Sequence, residues 1–343
     1  MKVTVIVVNW NRKPLLRACL SSLRGQTIPV AETIVVDNGS NDGSVEMIRS
    51  EFPGIRVIQN TENRGFCAAN NQGIRAATGD LIALLNNDAE ADPNWLAALQ
   101  HVFVDVRHVD ASIGMAASKI LVHEDPRRID KVGHLIYPDG QNRGRGTGAL
   151  DEGQFDRVEE VLWPDGCAAM YRKDMLDRIG GFDEDFFAYG DDAELGLRAR
   201  IAGWKCVYTP HAVVWHHRGA TLGLTSARRL RLIERNRVLL AAKLFPWSLL
   251  ALNKFYYLGR LWAGALAAAR GQGETALFPG LRGKWTLARA MIQGDLEALC
   301  MLPKMLGKRR DIRKIRKLSG REVRHLILEH RIPLRELATH AAL

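Results

Sequence analysis

Three groups of side chains in this sequence could bind a metal ion or move a proton. The tripeptide Asn86-Asn87-Asp88 follows an apolar run, Asp191 and Asp192 stand together, and His216 is followed by His217. Carboxylate oxygens and imidazole nitrogens bind divalent metal ions, and a carboxylate can accept a proton from a hydroxyl group. A polar turn, a helix cap and structural histidines would explain the same residues without chemistry, so their placement in the fold decides between the two.

The elements around these residues predict an α/β fold with a mostly parallel sheet. Short apolar or β-branched runs at 3–8, 33–36, 55–58 and 81–85 alternate with helical patterns. Polar residues follow each run, so we expect one edge of the sheet, where open α/β sheets bind ligands, to carry Asn9, Asp37, Asn63 and Asp88. The first run leads into Asn9-Trp10-Asn11-Arg12 instead of a glycine-rich turn, which excludes a Rossmann dinucleotide loop and a Walker loop.

The pattern is weaker in residues 111–161, where glycines alternate with two arginines. Gly140, Gly144, Gly146 and Gly148 surround Arg143 and Arg145, and this predicts a mobile loop between short strands. The loop is either a solvated connector or a lid over the active site whose arginines help to hold phosphate.

Charge is divided unevenly along the 343 residues. Residues 1–200 contain 22 Lys and Arg against 30 Asp and Glu, a balance of −8, whereas residues 201–343 contain 26 against 8, a balance of +18. The five cysteines are widely spaced without a CxxC pair, which is typical of reduced thiols in a cytoplasmic protein and excludes a disulfide framework. The N-terminus does not resemble a signal peptide, and no segment reaches the ~18 uncharged apolar residues of a membrane span.

The basic final third predicts helices that meet an anionic surface. Residues 238–269 are apolar and aromatic with scattered cations, and residues 308–317 form a basic run. Basic, aromatic and amphipathic helices are typical of a membrane interface. Two alternatives are a helical subdomain with a solvated basic face and, with no recognition motif to support it, nucleic-acid binding.

The chain resembles the inverting family 2 glycosyltransferases of GT-A fold, most closely the bacterial rhamnosyltransferase-like branch. The resemblance covers about residues 1–240. It rests on the order and spacing of several short motifs: Val7-Val8-Asn9-Trp10-Asn11, Val36-Asp37-Asn38-Gly39-Ser40, Asn63-Arg64-Gly65-Phe66, Leu85-Asn86-Asn87-Asp88, Gly166-Cys167-Ala168-Ala169-Met170 and Gly180-Gly181-Phe182-Asp183 with Tyr189-Gly190-Asp191-Asp192.

The resemblance implies a GT-A domain at 1–237, a basic helical extension at 238–343, and a role for each motif. Asp37 would accept from the nucleobase of a sugar donor, and Asn9 and Asn63 would line the same pocket. Asn86-Asn87-Asp88 occupies the D-x-D position, so Asn87 and Asp88 would meet the donor diphosphate and Asp88 would bind Mg²⁺ or Mn²⁺. His216 matches the late histidine of the metal site, although His217 remains an alternative. Asp192 matches the catalytic base, and Asp191 stands where the family has glutamate.

These roles predict an enzyme that transfers a sugar with inversion. A carboxylate takes the proton of the acceptor hydroxyl, and a divalent cation offsets the charge of the departing nucleoside diphosphate. By resemblance the donor is dTDP-rhamnose and the acceptor a cell-surface glycan or a polyprenyl-diphosphate-linked sugar. The expected location is the inner face of the cell membrane, with no nucleic-acid partner. The alternatives are a sugar-nucleotide-binding protein without activity and a nucleotidyltransferase.

Overall fold

The computed structural model describes residues 1–104, 110–219, 223 and 225–339, and it divides into two compact units. The first unit contains Met1–His134, Gly144–Ala188 and Gly203–Arg218, and the second contains Leu135–Arg143, Tyr189–Ala202 and Gly219–Leu343. The last four residues of the predicted extension at 238–343, residues 340–343, lie outside the described residues.

Most strands belong to one mixed sheet in the first unit. The strands of the described chain are β1 (Val3–Asn9), β2 (Glu32–Asp37), β3 (Arg56–Gln59), β4 (Leu81–Leu85), β5 (Ala89–Ala91), β6 (Ile113–Val122), β7 (Ile129–Lys131), β8 (His134–Ile136), β9 (Asn142–Gly144), β10 (Glu159–Val161), β11 (Ala168–Arg172) and β12 (Lys205–His216). The sheet order is β10-β12-β6-β11-β4-β1-β2-β3, with β5 on β12 and β7 on β6, while β8 and β9 pair separately.

The four strands predicted from the N-terminal runs are confirmed as β1 to β4. They pair in parallel, and the register across β1 and β2 sets Asn9 opposite Asp37. This register places the polar ends of neighbouring strands side by side, as expected for parallel strands.

Helices cover both faces of this sheet, because alternate residues of β1 meet different helices. The helices of the first unit are α1 (Lys13–Arg24), α2 (Ser44–Glu51), α3 (Phe66–Ala76), α4 (Trp95–Val104) and α5 (Lys173–Ile179). Val5 and Val7 of β1 join the core cluster that contains the buried faces of α1, α2 and α4. On the other face, Ile6 packs so closely on Gly73 of α3 that a Cβ there would lie 2.6 Å from its Cγ2 atom.

The second unit is helical. Its helices are α6 (Asp191–Ile201), α7 (Ala227–Leu244), α8 (Trp247–Leu250), α9 (Asn253–Ala269), α10 (Gly280–Ile315), α11 (Gly320–Glu329) and α12 (Leu334–Thr339). Residue 237, the predicted domain boundary, falls inside α7, and α6 belongs to this unit although it precedes β12 in the chain. A buried ion-pair network holds α7, α9 and α10 together. Arg237 of α7 and Arg260 of α9 both bind Glu234, and Arg237 also binds Asp295 of α10.

Three other sequence expectations have structural outcomes. The weakly patterned stretch 111–161 contains β6, a buried strand between β12 and β11, so this part of it is not a loop. All five cysteines are free thiols, and only Cys300 is exposed. Within the described residues, none of the helices combines the length and the apolar character needed to cross a bilayer.

Candidate active site at the strand ends

A chain of buried hydrogen bonds joins the ends of β1, β2 and β4. Asn9 donates through Nδ2 to Asp37 Oδ1 at 3.0 Å and to Ser40 Oγ at 3.1 Å. Asn87 in turn donates through Nδ2 to Asn9 Oδ1 at 2.8 Å, and the Ser40 amide donates to Asp37 Oδ2 at 2.9 Å. Asp37 is fully buried, and each of its oxygens keeps a second lone pair that can accept from a ligand.

Asn63 belongs to a second cluster of amide side chains, which is centred on Asn38. Asn38 donates through Nδ2 to Asn63 Oδ1 at 3.2 Å and to the Gly65 carbonyl at 3.2 Å. Asn60 donates through its own Nδ2 to Asn38 Oδ1 at 3.0 Å. The strand-end residues Asn9, Asp37, Asn63 and Asn87 are thus brought to one edge of the sheet through Asn38, which the sequence analysis did not single out.

Asp88 and His216 meet beside this edge. His216 ends β12 and pairs in register with Ala89, the residue after Asp88. Its Nε2 atom lies 3.5 Å from Asp88 Oδ1, and both side chains are largely buried. Asp88 Oδ1 makes no hydrogen bond among the described residues, and the His216 ring faces it at ion-pair distance, so this buried oxygen can also accept a ligand.

A second carboxylate fixes the orientation of the His216 ring. His216 Nδ1 lies 2.7 Å from Asp130 Oδ2, and Asp130 also forms an ion pair with Arg218 at 3.1 Å. A histidine that binds a metal ion usually donates its other ring N–H to such a carboxylate, which sets the tautomer. Asp130 therefore directs Nε2 toward Asp88, and the carboxylate oxygen and the imidazole nitrogen together fit a divalent ion such as Mn²⁺.

The surroundings of His216 favour its protonated form when no metal ion is bound. Burial alone would lower its pKa. Contact with Cys167 and the carboxylates of Asp130 and Asp88 outweigh burial, and they raise the pKa of His216 well above its usual value of 6.5. A metal ion bound at Nε2 would consequently have to displace a proton.

His217, the alternative metal ligand, contacts a different group of side chains. Its Nδ1 lies 3.0 Å from Glu124 and its Nε2 lies 3.6 Å from Glu90, and its ring stacks on His123. Its backbone amide donates to the Asp88 carbonyl at 2.9 Å and so helps to hold the turn that carries Asp88. Of the two neighbouring histidines, His216 is the one whose ring approaches the Asp88 carboxylate.

Asp191 and Asp192 open α6 in the second unit. Gly190, at φ +70°, occupies the N-cap position, so a helix cap does not explain the two aspartates. Asp191 is buried, and Asp192 Oδ1 accepts from the Ala193 amide at 2.7 Å. Amides of the first helical turn point toward the N-terminus, and they stabilise a carboxylate there in its charged form.

The turn before α6 is held in an uncommon conformation. Tyr189 has a φ of +68°, which costs free energy for a residue with a side chain. Asn236 donates through Nδ2 to the Tyr189 carbonyl at 2.6 Å, and the Arg229 guanidinium lies 5.8 Å from the Tyr189 ring centre. These contacts from α7 stabilise the turn that sets the direction of the two aspartates.

The two arginines of the glycine-rich stretch bind protein groups. Arg143 is buried and donates to the carbonyls of Glu336 and Leu337 at 3.1 and 3.3 Å. Arg145 donates to the Val132 carbonyl at 3.0 Å and to Glu159 at 2.7 Å. Both side chains therefore have structural contacts, and a solvated connector is the wrong description of this stretch.

Asp130 and Asp165 are two buried carboxylates near the strand ends that the sequence analysis missed. Asp165 lies 2.7 Å from Lys131 Nζ and 2.8 Å from His134 Nε2, and it accepts from the Cys167 amide at 2.9 Å. Burial would raise the pKa of Asp165, but Lys131 and His134 hold it well below the usual value of 3.8. Asp130 gave no signal because it follows the unrecognised strand β6. Asp165 adjoins the motif Gly166-Cys167 and could have been found there.

Comparison with known proteins identifies related sequences and folds. Residues 4–180 match the family described as "Glycosyl transferase family 2", and residues 153–302 match "Glycosyl transferase family group 2". The N-acetylglucosaminyl-diphospho-decaprenol L-rhamnosyltransferase of Mycobacterium tuberculosis is 27% identical over 248 residues, covering 66% of this chain and 79% of the relative. The O-antigen biosynthesis protein RfbC of Myxococcus xanthus is 30% identical over 231 residues, covering 64% of this chain and 18% of the relative.

Two solved structures share the fold. A mannosyltransferase from Pyrobaculum calidifontis, in complex with GDP-Man and Mn²⁺, superposes with a TM-score of 0.55 at 21% identity, covering 92% of this chain and 85% of the other. GalNAc-T7 with UDP, GalNAc and Mn²⁺ gives a TM-score of 0.52 at 16% identity, covering 71% of this chain and 50% of the other. At these identities the likeness establishes the GT-A glycosyltransferase fold alone.

Proposed function

The chain belongs to glycosyl transferase family 2, and from this premise we propose that it is an inverting transferase acting on a nucleotide-diphospho-sugar. The observation that carries the proposal is the buried Asp88 oxygen without a hydrogen-bond partner, 3.5 Å from the oriented nitrogen of His216. This pair adjoins an edge of amide and carboxylate groups. The mycobacterial relative is named as an L-rhamnosyltransferase, which supports dTDP-rhamnose as the first donor to test.

The donor nucleotide would bind along the strand ends. Asp37 is a buried acceptor whose position is fixed by Asn9 and by the Ser40 amide, so it can accept from a nucleobase N–H without rearranging. Asn63 would line the same pocket from the neighbouring amide cluster. Asn87 links this pocket to Asp88 through its hydrogen bond to Asn9, and it would set the distance between nucleobase and diphosphate.

Asp88 and His216 would hold a divalent ion, Mn²⁺ or Mg²⁺. When bound, such an ion offsets the negative charge that develops on the departing nucleoside diphosphate. Asp130 holds the His216 ring with Nε2 turned toward Asp88, and Arg218 balances the charge of Asp130. Only one of the two groups is a carboxylate, so the remaining ligands would be oxygens of the diphosphate and water.

Asp192 would act as the general base for the acceptor hydroxyl. Its place in the first turn of α6 favours the charged carboxylate, which is the form that can take a proton. The oxygen of the acceptor would attack the anomeric carbon from the face opposite the departing diphosphate, which inverts that carbon. Asp191, at the glutamate position of the family, would help to hold this end of the helix.

The acceptor would be a hydroxyl of a lipid-linked or cell-surface glycan. The mycobacterial relative is named for a decaprenol-linked substrate, and the Myxococcus relative for O-antigen biosynthesis. A polyprenyl-linked acceptor lies in a bilayer, so the enzyme would work on the inner face of the cell membrane. The basic final third supports this location through attraction to anionic head groups.

Product analysis tests the proposal. Purified protein is incubated with Mn²⁺, a panel of nucleotide sugars that includes dTDP-rhamnose, and a glycan acceptor, and the nucleotide product is identified. We expect nucleoside diphosphate, and we expect Asp192→Asn to lower kcat by about 10²–10⁴-fold with donor affinity retained. Asp177→Asn, at an exposed carboxylate of α5, is the matched control. Release of pyrophosphate would identify a nucleotidyltransferase, and equal rates for Asp192→Asn and wild type would refute the base assignment.

A further inference from the structure

The longest helix, α10, exposes an apolar stripe opposite the stripe that it buries. Its buried side packs on α7 and includes Leu287, Ala290 and Met305. At ~100° per residue, the exposed large side chains of α10 fall within an arc of about 80° that extends for roughly 37 Å. These side chains are Leu281, Trp285, Ile292, Leu296, Leu299 and Leu306, of which Leu281 is 87% and Trp285 is 70% exposed.

Helix α9 carries a second exposed stripe, formed by Phe255, Leu258, Trp262 and Leu266. These four residues recur at helical spacing, again within an arc of about 80°. On the other side of α9, Tyr257 donates through its hydroxyl to Asp295 of α10 at 2.6 Å. The helices that carry the two stripes are therefore neighbours, and we call the ten exposed residues of both stripes the apolar face.

The apolar face consists of side chains that stay exposed after the second unit has folded. Single exposed apolar side chains are common on proteins, but two helix stripes with ten large apolar side chains between them mark a surface that meets a partner. Three of the ten side chains are aromatic, and tryptophan is enriched where a protein meets the head-group region of a bilayer.

The charges around the apolar face select the partner. Helix α10 contains nine lysines and arginines, of which only Arg309 is buried, against three acidic residues. Helix α9 contains no acidic residue and adds the cation of Lys254, since its Arg260 is ion-paired with Glu234. The acidic side chains Asp295 and Glu297 are ion-paired with Arg237 and Arg231 of α7. A surface with apolar stripes and excess positive charge is complementary to an anionic bilayer. A second copy of the same face would bring like charges together.

We propose that the apolar face docks the protein on an anionic phospholipid bilayer, with the stripes of α9 and α10 in the head-group region. This inference deepens the proposed function, because it assigns membrane contact to particular residues and rests on a bilayer-bound acceptor. Apolar insertion provides the main part of the binding, and the cations of α10 add attraction to phosphate groups. Attraction of the basic run at 308–317 to the bilayer is not sufficient for this binding.

Vesicle flotation of the full chain tests the proposal without donor or acceptor, so its result is independent of glycosyl transfer. Vesicles contain phosphatidylglycerol and phosphatidylcholine in equal amounts. We expect wild type to float, and we expect the double variant Trp262→Gln, Trp285→Gln to bind at least about tenfold more weakly. The matched control replaces exposed apolar residues of the first unit, Leu150→Gln with Val158→Gln, and is expected to float as wild type does.

Two results would overturn the proposal. The first is flotation of wild type that disappears in high salt and is unchanged by the double variant, because charge alone would then carry binding. The second is a wild-type protein that fails to float and is a dimer by light scattering, with the double variant monomeric, because the apolar face would then join two copies. Circular dichroism of the double variant verifies that a loss of flotation reflects the surface and not unfolding.

Discussion

Competition between a proton and a metal ion at His216 gives the sharpest test of the candidate site. The pKa of His216 is raised well above 6.5, so in the metal-free protein the ring is still protonated when an ordinary histidine would have lost its proton. Metal binding must then release one proton from Nε2. The affinity for Mn²⁺ is expected to rise about tenfold, or about 1.4 kcal/mol, for each pH unit above 6.5 until the raised pKa is reached.

The contrast with an unperturbed histidine sets the magnitude. Such a histidine would give an affinity that levels off above pH 6.5, so the slope between pH 6.5 and 7.5 separates the two cases. Titration calorimetry of Mn²⁺ in buffers with different ionisation heats measures the number of protons released, and we expect about one. A flat affinity with no proton release over this interval would show that His216 is not both charged and a ligand.

Two variants locate the cause of the slope. Asp130→Asn removes the carboxylate 2.7 Å from Nδ1, so the pKa of His216 should fall and the slope should flatten, with Mn²⁺ affinity about 10–100-fold lower. Glu124→Gln is the matched control, because Glu124 contacts His217 and not His216. Without metal, a raised pKa stabilises the fold below pH 6.5, and this contribution is lost as the pH rises through the folded-state value. A pH dependence of Mn²⁺ affinity that is altered by Glu124→Gln and unchanged by Asp130→Asn would contradict the assignment.

Three further predictions concern stability and the donor pocket. Arg260 and Arg237 outweigh burial and lower the pKa of Glu234 to about 2. The charged Glu234 should therefore add about 3 kcal/mol to the free energy of unfolding above pH 4.5, and this contribution should be lost as the pH falls through 2. Chemical denaturation of wild type and Glu234→Gln at several pH values measures it. Gly65→Ala should cost about 1–3 kcal/mol in thermal or chemical denaturation, because Gly65 has a φ of +87° and the new Cβ would lie 2.5 Å from Phe187 Cδ2. Asn87→Asp should weaken donor binding at least about tenfold by calorimetry, because a carboxylate would face the Asn9 Oδ1 acceptor at 2.8 Å. Unchanged stability or affinity would refute each in turn.

The first half of the sheet was predictable because each strand is a compact apolar run with a polar end. In 81–85 every residue is apolar and buried, and the strand begins and ends at the predicted residues. Parallel pairing then fixed which residues lie together, since Asn9 and Asp37 occupy the same register position. Local composition and the geometry of parallel strands were sufficient here.

Strand β6 was not predictable because its neighbours require small side chains. Its sequence includes Gly114 and Ser118, which weaken the strand pattern. A Cβ at Gly114 would lie 2.5 Å from the Met175 sulfur and 2.9 Å from a ring carbon of Trp204, so tertiary packing excludes a larger residue. Ser118 accepts from Trp95 Nε1 at 2.9 Å. The sequence of one strand cannot reveal this contact with a residue of another element.

The carboxylate that orients His216 was missed for a related reason. Asp130 lies on β7, which pairs with the unrecognised β6, so its position depends on a strand that the sequence pattern does not mark. Asp88 and His216 could be proposed as partners because each ends a recognisable apolar run. The charge relation between His216 and Asp130, which determines the proton competition, needs the three-dimensional structure.

The polarity of the hydrogen-bond chain explains why an amide stands at position 87, next to Asp88. Asp37 can only accept, so Asn9 must turn its Nδ2 toward it, and Asn9 Oδ1 then faces the other way. The side chain at position 87 must donate to that oxygen, which an amide can do and a charged carboxylate cannot. Position 87 therefore adds no negative charge next to Asp88. If Asp88 and His216 hold an ion as we propose, the diphosphate of the donor would supply further negative charge around it, and ion binding would be coupled to donor binding.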